Sequence, residues 1–314
     1  MTHPSLSPEA PQTSAQRFAL EGSWDAEAPK RWEKRLPDVA RQLCQIAQAG
    51  GDGLDLLRCS FPRLSEHICA IKKFSAPLAL WGESRNWDEH AKQQIVEPAI
   101  LDAIGRMAGR EMCGMTLHAG LLHTYGYLFS LVATPFGYKR DRWLHEEMGA
   151  RFGLPDDTFS PLPQEGSLLL NLTYFLGSIV FSPQAAQRRT LQRLRKYLPS
   201  TLTGYPFSAL QRWRVTEALS FVAPRGSRPR QLRIHTDLVY PVASSENVQL
   251  LIYSLEAPAD RFALITAFFT SPDYVETLLR QPQGQHVEIS LRYNASFGGL
   301  ENASHLGVRA IRPM

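Results

Sequence analysis

Residues His118 to Trp143 read HAGLLHTYGYLFSLVATPFGYKRDRW, and the reading of this stretch decides the fold. Two histidines, His118 and His123, stand five residues apart ahead of an apolar and aromatic run. Within that run Tyr127, Phe129, Leu131 and Ala133 alternate with Leu128, Ser130 and Val132. Apolar character on both sides of a period of two predicts a central strand over about 124–134, covered on both faces. Thr134-Pro135-Phe136-Gly137 then ends it, because proline has no N–H for a ladder and glycine takes the turn conformations other residues avoid. The turn beyond carries Lys139, Arg140 and Arg142.

Toward the C-terminus the pattern predicts a short helix from Arg142 to Phe152, a proline-rich loop, and a second buried strand or pair of strands from Ser167 to Phe181. QAAQRRTLQRLRKYL follows as a helix with Leu191, Leu194 and Leu198 on its inner stripe. A second helix is expected from Ser208 to Val222, then a cationic turn, APRGSRPRQ. QLRIHT, NVQLLIYSLE, RFALITAFF and HVEISLRYN read as antiparallel strands, with DYVETLLRQ as a helix between the last two. Toward the N-terminus, residues 17 to about 115 read as helical. Pro29 suits a first turn, Gly50 and Gly51 a stop, and Pro98 a kink or boundary in the series Ile95, Ile100, Leu101, Ile104, Met107. Residues 1–16 hold three prolines and no apolar run and read as a disordered leader.

Helices before strands predict an α+β fold, a helical N-terminal part packed against a mixed, largely antiparallel sheet built from residues after 123. The organisation expected is a leader (1–16), a helical part (17–115) and a strand-rich part (116–314) interrupted by a basic helical insertion at about 183–230, the whole forming one composite globular unit. Cys44, Cys59, Cys69 and Cys113 show no CxxC spacing and no zinc pattern, so reduced thiols are expected. No apolar stretch approaches the length of a membrane span, so a cytoplasmic protein with no membrane partner is expected. Nothing in the sequence indicates its oligomeric state.

The total charge of +4 hides an uneven distribution. From Pro183 to Arg233 there are eleven basic residues and one acid, Glu217, a net +10 that leaves −6 on the remainder. Arg188, Arg189, Arg193, Arg195, Lys196, Arg212 and Arg214 are therefore candidates for contact with a nucleic-acid backbone, with Tyr197, Tyr205, Phe207 and Trp213 as stacking surfaces.

His118 and His123 are the candidate acid/base pair, since imidazole titrates near working pH. Without a third ligand as HExxH would supply, no metal is expected, and no cofactor fingerprint is present. Lys139, Arg140 and Arg142, with Tyr125, are candidates for holding an anionic substrate. In the C-terminal strands His235, Thr266 and Arg292 join them; Arg233, His235 and Asp237 alternate onto one face, where a carboxylate could orient a histidine ring. No GxSxG is present, so a serine hydrolase of that type is excluded. The function expected is a metal-free acid/base enzyme, hydrolase or group transferase. Its substrate is anionic and phosphate-bearing, a class that includes RNA and RNA-borne groups such as an aminoacyl-tRNA. Two alternatives are a small-molecule transferase of secondary metabolism and a non-enzymatic nucleic-acid-binding or interaction module.

Overall fold

A computed structural model of the chain describes residues 27–74, 78–88, 91–110, 116–118, 120–134, 137–141, 148–181, 185–221, 230–240, 249–257, 261–270 and 295–296. The fold is α+β, with helices before residue 210 and a four-stranded antiparallel sheet after it. Helix α1 (Ala28–Gln48) starts at a proline in its first turn and buries Trp32, Leu36, Val39, Ala40 and Leu43, a helical spacing that puts one face inward. It stops at Gly50, whose φ of +81° few other residues adopt. Helices α2 (Leu54–Ser60) and α3 (Pro62–Ala70) follow, and Phe61 between them packs on Trp32 and Phe129 with ring centroids 5.2 and 5.5 Å away. Proline again opens a helix at α4 (Pro98–Met107), so Pro98 marks a boundary and not a kink.

The stretch expected to be the central strand is helical as far as Phe129. Leu121–Gly126 forms α5 and Tyr127–Phe129 continues it as a 3₁₀ turn. Every residue from Leu121 to Ser130 is buried. A segment enclosed on all sides loses its period, and an apolar run then fits a buried helix as well as a buried strand. Short pairings flank it in sequence: β1 (Glu83–Arg85) lies between β2 (Thr116–His118) and β9 (Ala295–Ser296), and β3 (Ala133–Thr134) pairs with β4 (Gly137–Tyr138).

The second expected strand, Ser167 to Phe181, is likewise a helix. After α6 (Met148–Arg151), helix α7 (Leu168–Val180) begins at Ser167, whose hydroxyl accepts from Leu170 N, and buries almost every side chain. The basic segment divides. Its first half is helical, α8 (Ala185–Leu194) and α9 (Ser200–Thr203), but Gln211–Phe221, expected as a helix, is strand β5. The expected helical insertion at 183–230 therefore ends near Ala209, and the strand after it belongs to the main sheet.

That sheet is a simple meander, β5, β6 (Arg230–Tyr240), β7 (Gln249–Ala257) and β8 (Arg261–Thr270), with a bulge between β7 and β8 at Tyr253/Ser254. Val239, Leu250, Ile252, Phe262 and Leu264 share one core with the helices. Ile234, Leu238, Leu251 and Leu255, on the opposite face by register, are buried too. Residues 80–82 run beside β8 in parallel, with Gly82 N donating to Leu264 O and Leu264 N to Leu80 O, both at 2.8 Å. From the same place the Trp81 indole donates to Thr173 Oγ1 at 2.8 Å, tying the N-terminal third, β8 and α7 together. The expected strand HVEISLRYN and helix DYVETLLRQ lie outside the described residues.

Candidate functional site

Of the histidine pair and the cationic turn, the structure describes the side chains of His123, Lys139 and Arg140. His123 lies on α5 with Nδ1 3.5 Å from Ser84 Oγ on β1 and Nε2 3.1 Å from Thr266 Oγ1 on β8, and its ring stacks on Tyr127 at 4.2 Å. It is a buried imidazole held between two hydroxyls. Thr266, expected to bind substrate, thus has the ring of His123 as a partner. His118 sits in β2 opposite Glu83; its side chain, like all of Arg142 and Arg292, lies outside the described residues.

Lys139 and Arg140 have protein partners. The Lys139 ammonium is 3.2 Å from the buried carboxylate of Asp88. Arg140 is 5% exposed, lies 4.1 Å over the Tyr138 ring and donates to Ser130 O at 3.3 Å. These partners and the described partners of His123 do not overlap. Tyr125 is fully buried, and burial pushes its phenol well above the ordinary range, with Ser167 and Leu169 opposing weakly. A group with no exposed surface has no face to offer a substrate, so Tyr125 is a core residue.

The sheet holds a more complete constellation. Thr216, His235 and Glu256 come from β5, β6 and β7, whose register places Thr216 opposite His235 and Glu256 opposite Arg233. Thr216 Oγ1 lies 2.8 Å from His235 Nδ1, and His235 Nε2 lies 3.1 Å from Glu256 Oε2. A carboxylate only accepts, so Nε2 carries the proton and Nδ1 accepts from the threonine hydroxyl. This is the hydroxyl–imidazole–carboxylate chain that general-base activation requires. The imidazole nitrogens exchange the roles they have in the serine-protease arrangement.

The ring of His235 is fixed from a further side by Phe262, stacked at 5.3 Å with planes 5° apart. Ser254, paired opposite His235, keeps a buried hydroxyl with no hydrogen-bond partner among the described residues. Burial pushes the imidazole below its ordinary range, and the nearby Arg214 acts in the same direction while the Glu256 hydrogen bond opposes them. A ring that rests neutral follows. His235 is only 5% exposed, but Thr216 is open to solvent, and Arg233, 3.4 Å from Glu256 Oε1, has a side chain 57% exposed.

Beside this chain, Asp237 is 0% exposed and does not orient His235 as its spacing suggested. Arg214 grips it with two parallel bonds of 2.7 and 2.8 Å. The same guanidinium donates to Val180 O at 3.3 Å, and Arg212 donates to Ile179 O. Both arginines thus close the C-terminus of α7, where carbonyls lack helical partners and the helix dipole favours a cation. Arg212 and Arg214, expected to contact nucleic acid, thus have their guanidinium groups engaged at this helix end. Arg195 donates to Thr203 O at 3.0 Å, while Arg188, Arg189, Arg193 and Lys196 present exposed side chains. Tyr205 is buried against Phe175 and the half-buried Phe207 packs on the same ring; Tyr197 and Trp213 are 44% and 42% exposed.

The members of this constellation that the sequence does not single out are Thr216 and Glu256. Thr216 lies in a segment whose composition reads as helix, and Glu256 meets His235 only through the β6–β7 register. Among the described residues no three His, Cys, Asp or Glu side chains gather as a metal site requires, and Cys44, Cys59 and Cys69 are free thiols. No helix among the described residues is long and apolar enough to cross a membrane. No protein-family model matches the chain, and neither curated proteins nor solved structures produce a match.

Proposed function

We propose that the protein is a metal-free acid/base enzyme, a hydrolase or group transferase acting on an anionic substrate, with His235 as the proton carrier. The observation that carries this reading is the Thr216–His235–Glu256 chain, with hydrogen-bonded separations of 2.8 and 3.1 Å on three adjacent strands. Rigid strands hold the groups better than loops would, and neighbouring burial keeps the imidazole neutral at working pH. Arg233, exposed at the mouth of the site, is the contact for substrate charge. The exposed Arg188, Arg189 and Arg193 of α8 support a phosphate-bearing substrate, RNA-borne ones included.

A panel of anionic chromogenic esters and phosphoesters tests the proposal. In His235→Gln the turnover should fall by about 10² to 10⁴ with KM little changed, because acid/base help is realised in the transition state. Arg233→Ala should raise KM chiefly for charged members of the panel. His123→Ala should leave turnover per folded molecule intact. If His235→Gln retains full turnover on every substrate that the protein processes, the reading is wrong.

A further inference from the structure

We infer that Thr216 is a covalent nucleophile and that the substrate class is a carboxylic ester or thioester whose negative charge is held by Arg233. The inference rests on the acid/base reading of His235 and goes beyond it, because a relay can equally activate water. Four observations favour the threonine. Thr216 is the open end of the chain, an exposed residue beside a His235 that is 5% exposed, so an incoming carbonyl carbon meets the threonine before it meets the ring. The 2.8 Å contact places the hydroxyl proton on the line to Nδ1. Glu256 occupies the opposite nitrogen at 3.1 Å and so stabilises the imidazolium that forms.

The fourth is the position of β5 at the sheet edge, paired only with β6 among the described residues. Alternate N–H groups of such a strand point away from the ladder. They are the donors at hand for the oxyanion of a tetrahedral intermediate. A guanidinium two residues before His235 on the same face of β6 then suits a substrate with one negative charge near the reacting carbon.

The chemistry balances without a co-reactant beyond water. Thr216 Oγ1 attacks the carbonyl carbon as its proton passes to His235 Nδ1, forming the new C–O bond. The bond from that carbon to the leaving oxygen or sulfur breaks, and the imidazolium returns the proton to the leaving group. Water then attacks the acyl-threonine, giving a proton to Nδ1, and the carboxylic acid departs as that proton restores the threonine hydroxyl. With an acceptor alcohol or amine in place of water, the same steps amount to transfer.

The test uses the full chain with p-nitrophenyl acetate and its anionic analogue, p-nitrophenyl hydrogen succinate. A burst of p-nitrophenolate equal to the enzyme concentration is expected, followed by slower turnover. Acid quenching and peptide mass spectrometry should find one acyl group on the peptide containing Thr216. Thr216→Val, nearly the same shape on an exposed strand position, should lose burst and adduct while keeping its circular dichroism and melting temperature; Thr216→Ser should restore both. Arg233→Ala should weaken saturation by the succinate ester more than saturation by the acetate. Turnover that depends on His235 without any adduct on Thr216 would overturn the nucleophile and leave the acid/base reading standing, with water as the activated group. An adduct on another residue overturns it equally. Absence of any turnover that depends on His235 would overturn both.

Discussion

Asp237 is a carboxylate taken wholly out of water, with Arg214 meeting both of its oxygens and Arg212 standing 3.7 Å from one of them. Removing one partner of such a pair strands a buried charge. Arg214→Ala is therefore expected to lower stability by about 3–5 kcal/mol in urea unfolding. Arg188→Ala, on the exposed face of α8, should stay within about 0.5 kcal/mol. Equal costs for the two would refute the assignment of Arg214 to the helix end. The neighbouring His235 gives a pH signature. It is faced by Thr216 and Arg214 from β5, Asp237 on its own strand, Glu256 from β7 and the Phe262 ring from β8. Since burial lowers its folded pKa, the unfolded chain binds the proton more readily than the folded protein. The contribution of His235 to stability is thus full above the ordinary imidazole value of about 6.5 and is lost as pH falls through that value to the depressed one. Unfolding free energies measured between pH 7.5 and 5 should decline with a slope of at most about 1.4 kcal/mol per pH unit for this group. His235→Gln should flatten that decline without removing it, because His67 is shifted down by burial in the same way. An unchanged slope would mean that the imidazole titrates alike in both states.

At the level of elements, the class of fold was legible and the identity of three elements was not. Leu168–Val180 is apolar around its whole circumference, which erases the 3.6-residue period, yet Ser167 before it is a capping residue and thirteen residues exceed the usual strand. Length and cap were the signals that distinguish the two. The converse held for β5: Trp213, Val215, Leu219 and Phe221 alternate with Arg212, Arg214, Thr216 and Ser220, a period of two hidden among residues of good helix propensity. Taking β5 for a helix hides Thr216 and leaves Arg212 and Arg214 to be counted as surface charge. The C-terminal strands were readable because clean alternation survives where only partner strands and layers above and below are needed. The Ser167 cap can be checked directly. Ser167→Ala should cost about 1 kcal/mol, since the hydroxyl satisfies the Leu170 N–H at the start of the helix. Gly120→Ala should cost roughly 1–3 kcal/mol for a different reason, a new Cβ only 2.9 Å from the Trp81 ring that joins α7 to the N-terminal third. Thermal melts of the two variants, compared with the parent, separate a lost cap from an overpacked junction only in size, so a Gly120→Ala variant as stable as the parent would show that Trp81 can shift.

Across the whole molecule the apparent +10 of residues 183–233 is a poor guide to the charge a partner meets. Arg212 and Arg214 serve Asp237 and the end of α7, Arg195 a backbone carbonyl, and Arg233 the carboxylate of Glu256. What the helical half presents outward is Arg188, Arg189, Arg193 and Lys196, the last lying 4.7 Å over the exposed ring of Tyr197. An RNA-borne substrate would therefore neutralise about four phosphates on this surface. Each contact with a single strand contributes roughly −0.7 to the slope of log K against log salt, so the slope expected is about −3. Affinity for a short single-stranded oligoribonucleotide, followed by fluorescence anisotropy, should then fall roughly 60-fold between about 50 and 200 mM salt. If every basic residue of the segment faced one polyanion, the slope would be steeper than about −7 and the loss over the same range would exceed roughly 10⁴-fold. A slope of that size would show that Arg212 and Arg214 leave Asp237 to meet the ligand, which the cost of exposing a buried carboxylate argues against. A slope near zero would instead confine the substrate to a small anion at Arg233, with α8 taking no part in its recognition.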